Sequence, residues 1–252
     1  LGFYLKGATN FTSTAAATIN ISGQGVTLFN LNTNPGMTFT NLFTINTIGT
    51  GTYTLGSIAN GSYYYNSSTV LGGNGAMVSA KDSTILFDTG ANITSTGDNN
   101  IAIYVDNVYS GLPVAGFTPG TEAENRGTIT LNNSSAGLYG INGAGITADS
   151  GAIFNIGYGS YGIIAESGAT LLNSAAITLG DNSIFTYGNN SGGIVNNGAV
   201  NITGSDNTAF YMVKGGSIIN NANITGTAGT GNIGIYNRGV YTTEVLQADG
   251  TM

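Results

Sequence analysis

The sequence predicts an all-β chain wound as a parallel β-helix, with about 24 residues and three short strands in each coil. Three observations predict it. The first is a repeat. Asn125, Asp149, Asn173, Asn197 and Asn221 each lie 24 residues after the one before, and a β-branched residue follows each (Ile129, Ile153, Ile177, Val200, Ile224). A second register runs through Tyr139, Ile163, Tyr187, Tyr211 and Ile235, and a third through Ile146, Leu171, Ile194 and Ile218. The second observation is the texture between registers. Apolar runs such as AVNI (199–202), AFYMV (209–213) and SIIN (217–220) are too short for helices and alternate with the period of a strand. The third is what the repeat excludes. It lacks leucine-rich spacing, a helical period, the ~40 residues of a propeller blade and the every-third glycine of collagen.

Stacking such coils pairs each strand with the same strand one coil on, about 4.8 Å away. Residues one period apart then form ladders. Ile, Val and Leu ladders fill a narrow interior. The register Asn125, Asp149, Asn173, Asn197, Asn221 becomes a structural ladder at one corner, where amides bond along the stack and asparagine tolerates a left-handed backbone.

Taken in order, residues 1–10 read as a lead-in or as the tail of a preceding coil (FYL, 3–5). Strand one of each coil is expected at Ile19–Ile21, Ile45–Ile48, Val70–Leu71 and Ile93. Strand two is expected at Val26–Leu31, Thr52–Leu55, Ala76–Val78 and Ile101–Val105, and strand three at Met37–Phe39, Tyr63–Tyr65 and Thr84–Phe87. The chain divides into irregular coils over 1–105, an inserted loop over 106–124, regular coils over 125–240 and a fading end over 241–252, all one segment. The insertion holds two of the three prolines, Pro113 and Pro119, which cannot donate to a central ladder. It also holds Tyr109, Leu112, Phe117 and Glu122, and it reads as an excursion from the third corner. Solenoid insertions gather on one face, often the binding face. These four are therefore candidate ligand contacts, or else cover for the coil. Both ends look like cuts in a longer protein.

Composition narrows the function. The chain has 252 residues, 41 of them Gly, and only 7% charged residues, with no Cys, His or Trp. Stability must come from stacking rather than from disulfides or metal. Five basic residues against twelve acidic ones make no basic stripe, which excludes nucleic acid and an anionic membrane surface as partners. No apolar run has the length of a membrane-spanning helix, and no leader is visible at the start.

The residues for chemistry are few. Without His or Cys there is no Ser–His–Asp or Cys–His triad and no imidazole or thiolate ligand, so neither catalytic residues nor a metal or cofactor is expected. Paired carboxylates are the exception to examine. Asp82 with Asp106 and Asp98 with Glu122 are one period apart but run into the insertion. Asp181 and Asp206, 25 apart, are the best pair, but both precede Asn in a turn (GDN, SDN), and an Asx-turn accounts for them better than catalysis does. GGNGAMVSA (72–80) resembles one calcium nonapeptide but lacks the Asp and does not repeat. Tyr139, Tyr187 and Tyr211 share a register. Facing outward they form a stripe able to stack on sugars or anchor a protein; facing inward they are core.

Units such as NSAAITL (173–179), NNGAVNITG (196–204) and NIGIYNRG (232–239) resemble passenger domains of the large autotransporter (type V secretion) adhesins of Gram-negative bacteria, above all the long fusobacterial outer-membrane autotransporters. The resemblance covers about residues 19–240. It implies a right-handed parallel β-helix on the bacterial cell surface, continuous with an outer-membrane β-barrel that this chain lacks. It also implies a non-enzymatic role in adhesion or aggregation, as binding tip or stalk, with a host or microbial surface protein or glycan as partner. The competing expectation is a polysaccharide-binding or polysaccharide-degrading β-helix of pectate-lyase or tailspike type. The family offers no fixed binding motif to transfer.

Overall fold

The computed structural model describes residues 2–7, 10–13, 17–109 and 120–239. Among them every regular element is a strand, and the strands form three parallel sheets. Numbered by their order within a coil, sheet one has nine strands, from Thr18–Ser22 to Ile224–Gly226. Sheet two has ten, from Phe3–Gly7 to Ile233–Arg238, and sheet three has nine, from Phe11–Thr12 to Ile218–Asn220. Each strand pairs only with its counterpart one coil before and after, as a solenoid requires. All the strand segments expected for the first third are present in the expected sheets.

The interior is a set of stacked columns. In sheet one Ile45, Thr69, Ile93, Ile129, Phe154, Ile177 and Val200 lie above one another, and all seven are buried. At the N-terminal end the filling is aromatic. Phe11, Phe39 and Tyr63 stack at centroid distances of 4.7 and 5.6 Å with nearly parallel rings. The register of sheet two advances from Phe3 to Phe29 to Gly56 to Val78, in uneven steps of 26, 27 and 22 residues.

Sheet two departs from simple alternation. Met77 and Val78 are both fully buried, as are Ala209 and Phe210. Two successive inward side chains break the pleat, so each strand bends at its middle and wraps the core.

The corners show why the sequence contains its Asn, Ser and Gly. All eleven non-glycine residues with positive φ flank sheet two, among the described residues. Asn99, Ser134, Asn182 and Asp206 enter it at corner one. Asn60, Asp82, Asn107, Asn142, Ser167, Asn190 and Lys214 leave it at corner two. Ten of the eleven are Asn, Asp or Ser, whose short polar side chains tolerate this backbone; Lys214 is the exception.

Corner three, between sheets three and one, works differently and corrects the expected ladder. The paired register there is Asn125, Ala148, Asn173, Asn196 and Asn220. Asn125 and Asn173 belong to it; Asp149, Asn197 and Asn221 stand one residue further on, facing outward. The inner asparagines do not have left-handed backbones. Instead each bonds the backbone two residues on. Asn173 Oδ1 accepts from Ala175 N (3.2 Å), and its Nδ2 donates to Ala175 O (3.1 Å) and to Asn196 Oδ1 (2.6 Å). Asn196 Nδ2 then donates to Gly198 O (2.9 Å) and Asn220 Oδ1 (2.7 Å). The buried amides thus satisfy corner backbone that no strand neighbour reaches. Outside, Asn221 Nδ2 donates to Asn197 Oδ1 (2.9 Å), a second and solvent-exposed step.

Candidate functional site

The second predicted register is also shifted. On the outer face of sheet two, Tyr104, Tyr139, Ile164, Tyr187, Tyr211 and Tyr236 form one column. Ile163 and Ile235 are not in it. They sit one residue earlier, on the inward side, in line with Phe210. The tyrosines are half-buried and outward, so they are not core.

Their rings lie against one another. Tyr187–Tyr211 and Tyr211–Tyr236 are stacked at 5.7 and 4.7 Å, both with interplanar angles of 12°. Tyr104–Tyr139 and Tyr161–Tyr187 meet edge-on, at 78° and 73°. Tyr211 lies between two stacked rings, which take up the faces that would receive a sugar. Tyr139 donates its phenol proton to Glu166 Oε2 (2.6 Å), and Asn189 holds Oε1 (3.1 Å). Burial first, and the Glu166 carboxylate second, push the Tyr139 and Tyr187 phenols above their ordinary value.

The insertion leaves corner two, not corner three, between the strands Asn100–Asp106 and Ala123–Asn125. It is shorter than expected at its C-terminal side, because Glu122 already bonds both neighbouring coils through its backbone, donating to Gly145 O and accepting from Ile85 N. Leu112 and Phe117 lie outside the described residues. Tyr109 runs back along the corner, and its phenol oxygen accepts from Gly36 N (2.7 Å), three coils earlier. Glu122 is 5% exposed and so is not a surface contact. Its carboxylate accepts the N–H groups of Gly145 and Tyr109, tying the loop's entry to the next coil, and burial raises its pKa against those bonds. Sequence spacing gave no sign of this clamp, since it joins residues of three different segments.

Beside the insertion, sheet three carries an outward column of Tyr64, Leu86, Glu124, Thr147, Leu172, Val195 and Ile219. Its middle is closed: Leu86, Glu124 and Thr147 are buried although they point away from the core. Arg126 braces this part, bonding Glu124 through Nε (2.7 Å) and Nη2 (2.6 Å), with Asp88 and Asp149 at 3.9 and 3.7 Å. Burying Glu124 without that cation would be costly. From Leu172 onward the column opens, with Leu172 38% and Ile219 52% exposed. Here a groove of about 390 Å³ begins at Gly120 and Thr121 and runs over Ile146, Thr170, Leu172 and Val195. The sequence hid it because Leu172, Val195 and Ile219 look like core residues until the register is known.

The carboxylate pair does not assemble. Asp181 Oδ1 accepts from Ser205 N of the next coil (2.7 Å), whereas Asp206 lies in line with Asn182, both left-handed. The two acids are therefore one position out of register. Among the described residues no cluster of three metal-ligating side chains occurs.

Three stacked parallel sheets with a buried asparagine corner place the chain in the class of parallel β-helix domains. It belongs to a particular family of these: the model for the third pectate lyase-like domain of BigA matches residues 3–223. No curated protein and no solved structure matches the chain.

Proposed function

We propose that this domain is a non-catalytic attachment segment of a bacterial surface protein, of the autotransporter adhesin kind, and that it grips a protein partner in the groove beside the insertion. The observation that carries the reading is the apolar column Leu172, Val195, Ile219, continuous with that groove, which begins at Gly120 and Thr121. A concave, apolar strip is the kind of surface that receives a partner's side chains. A protein is favoured over a glycan because Tyr211, the middle ring of the stack, has a neighbouring ring on each side. The family membership supports a β-helix built for display, and the out-of-register Asp181 and Asp206 argue against hydrolysis.

The test is adhesion of the purified chain to host and bacterial cells and to protein and glycan arrays. It is run beside Leu172→Asp and a version lacking 107–123. Binding to a protein surface lost in Leu172→Asp supports the reading. Binding that survives both changes, or turnover of a polysaccharide, overturns it.

A further inference from the structure

We infer that the stacked tyrosines of sheet two are a site of oxidative cross-linking, in which Tyr211 and Tyr236 couple to dityrosine and staple two successive coils. The inference is independent of the proposed attachment role. It rests on ring geometry. Tyr187, Tyr211 and Tyr236 stand in paired register on neighbouring strands, outward and partly exposed, with interplanar angles of 12° and centroids 5.7 and 4.7 Å apart. Tyr139 is bonded to Glu166, whereas none of these three hydroxyls has a hydrogen-bond partner among the described residues.

A one-electron oxidant of the haem-peroxidase class takes one electron and one proton from each phenol. The unpaired spin of a phenoxyl radical resides partly on the ring carbons ortho to oxygen, in p orbitals perpendicular to the ring. In a face-to-face stack those orbitals on adjacent rings point at one another. A bond forms between a Cε of Tyr211 and a Cε of Tyr236. The hydrogens on the two joined carbons then leave as protons while the oxygens regain theirs, restoring both rings. Two electrons and two protons pass to hydrogen peroxide, giving two waters.

The same face supplies an internal control. Tyr104–Tyr139 has a comparable centroid distance, 5.3 Å, but an angle of 78°, so its ortho orbitals do not face each other. Ile164 separates that pair from the stacked three.

The experiment treats the full chain, dilute, with a haem peroxidase and hydrogen peroxide, then maps cross-links by proteolysis and mass spectrometry. The expected product is an intramolecular pair of peptides carrying Tyr211 and Tyr236, lighter than their sum by two hydrogens. Near-attack geometry should make it about tenfold or more above any Tyr104–Tyr139 product. Tyr236→Phe and Tyr211→Phe should abolish it, and Tyr139→Phe should leave it unchanged. Absence of dityrosine, equal coupling at Tyr104–Tyr139, products that vanish on dilution, or the same product pattern in urea would each overturn the inference.

Discussion

Replacing Asn196 by alanine should damage this fold far more than replacing Asn197, although the 24-residue repeat singles out Asn197. The Asn196 side chain is fully buried and engages three groups: Gly198 O, Asn220 Oδ1 and the Nδ2 of Asn173, at 2.9, 2.7 and 2.6 Å. Alanine strands Gly198 O and one Asn173 amide proton where water has no access. Each abandoned buried group costs about 1–3 kcal/mol, so the loss is about 4 kcal/mol. Asn197 is exposed and its one side-chain bond, to Asn221, lies in solvent. Alanine there should cost less than about 1 kcal/mol. Solenoids need not unfold all at once, so a urea midpoint is best paired with amide hydrogen exchange over 193–202. Equal losses from the two substitutions would refute the register and the argument built on it.

Three further outcomes follow from the same coordinates. Phe210→Ala should cost about 3–5 kcal/mol and Tyr211→Ala much less, because the first side chain is fully buried and the second outward; a reversed order in urea denaturation would invert the faces of sheet two. Gly198→Ala should destabilise strongly and Gly226→Ala hardly at all: a Cβ at Gly198 would stand 1.9 Å from Ala175 O, and at Gly226 it meets nothing within 4 Å. Thermal melts of the two variants check this. Glu122, raised by burial, keeps its proton in the folded chain at pH values where the unfolded chain has lost it. Its contribution is therefore full below the unfolded value and is lost as pH rises through the folded one. Glu122→Gln should flatten the decline of the unfolding midpoint across that window, and a profile identical to wild type would remove Glu122 as its source.

Much of the architecture was legible beforehand. Strand positions from Ile19 to Ile224 followed from alternation and turn residues, because a strand that buries one face must alternate and a corner must use Gly, Asn, Asp or Ser. The candidate site was legible only in part. Tyr139, Tyr187 and Tyr211 were identified as sharing a column, and they do. Tyr104 and Tyr236 were missed as members because the steps of that column are 35, 25, 23, 24 and 25 residues through Ile164, not a constant number. An acid at the edge of a loop is normally solvated, so sequence alone makes Glu122 a surface contact; the fold instead seals it against Gly145 and the loop's own entry.

The sequence by itself determined that the chain is a parallel solenoid of three-stranded coils. Stacking identical coils imposes an average period that survives in the residues. It also determined that this stability rests on stacking, since the chain has no Cys or His to staple it. Only the tertiary structure decided which residue of each pair, Asn196 or Asn197, Ile163 or Ile164, Ile235 or Tyr236, faces inward. The corners absorb one residue more or less from coil to coil, and in a strand a shift of one residue exchanges core for surface.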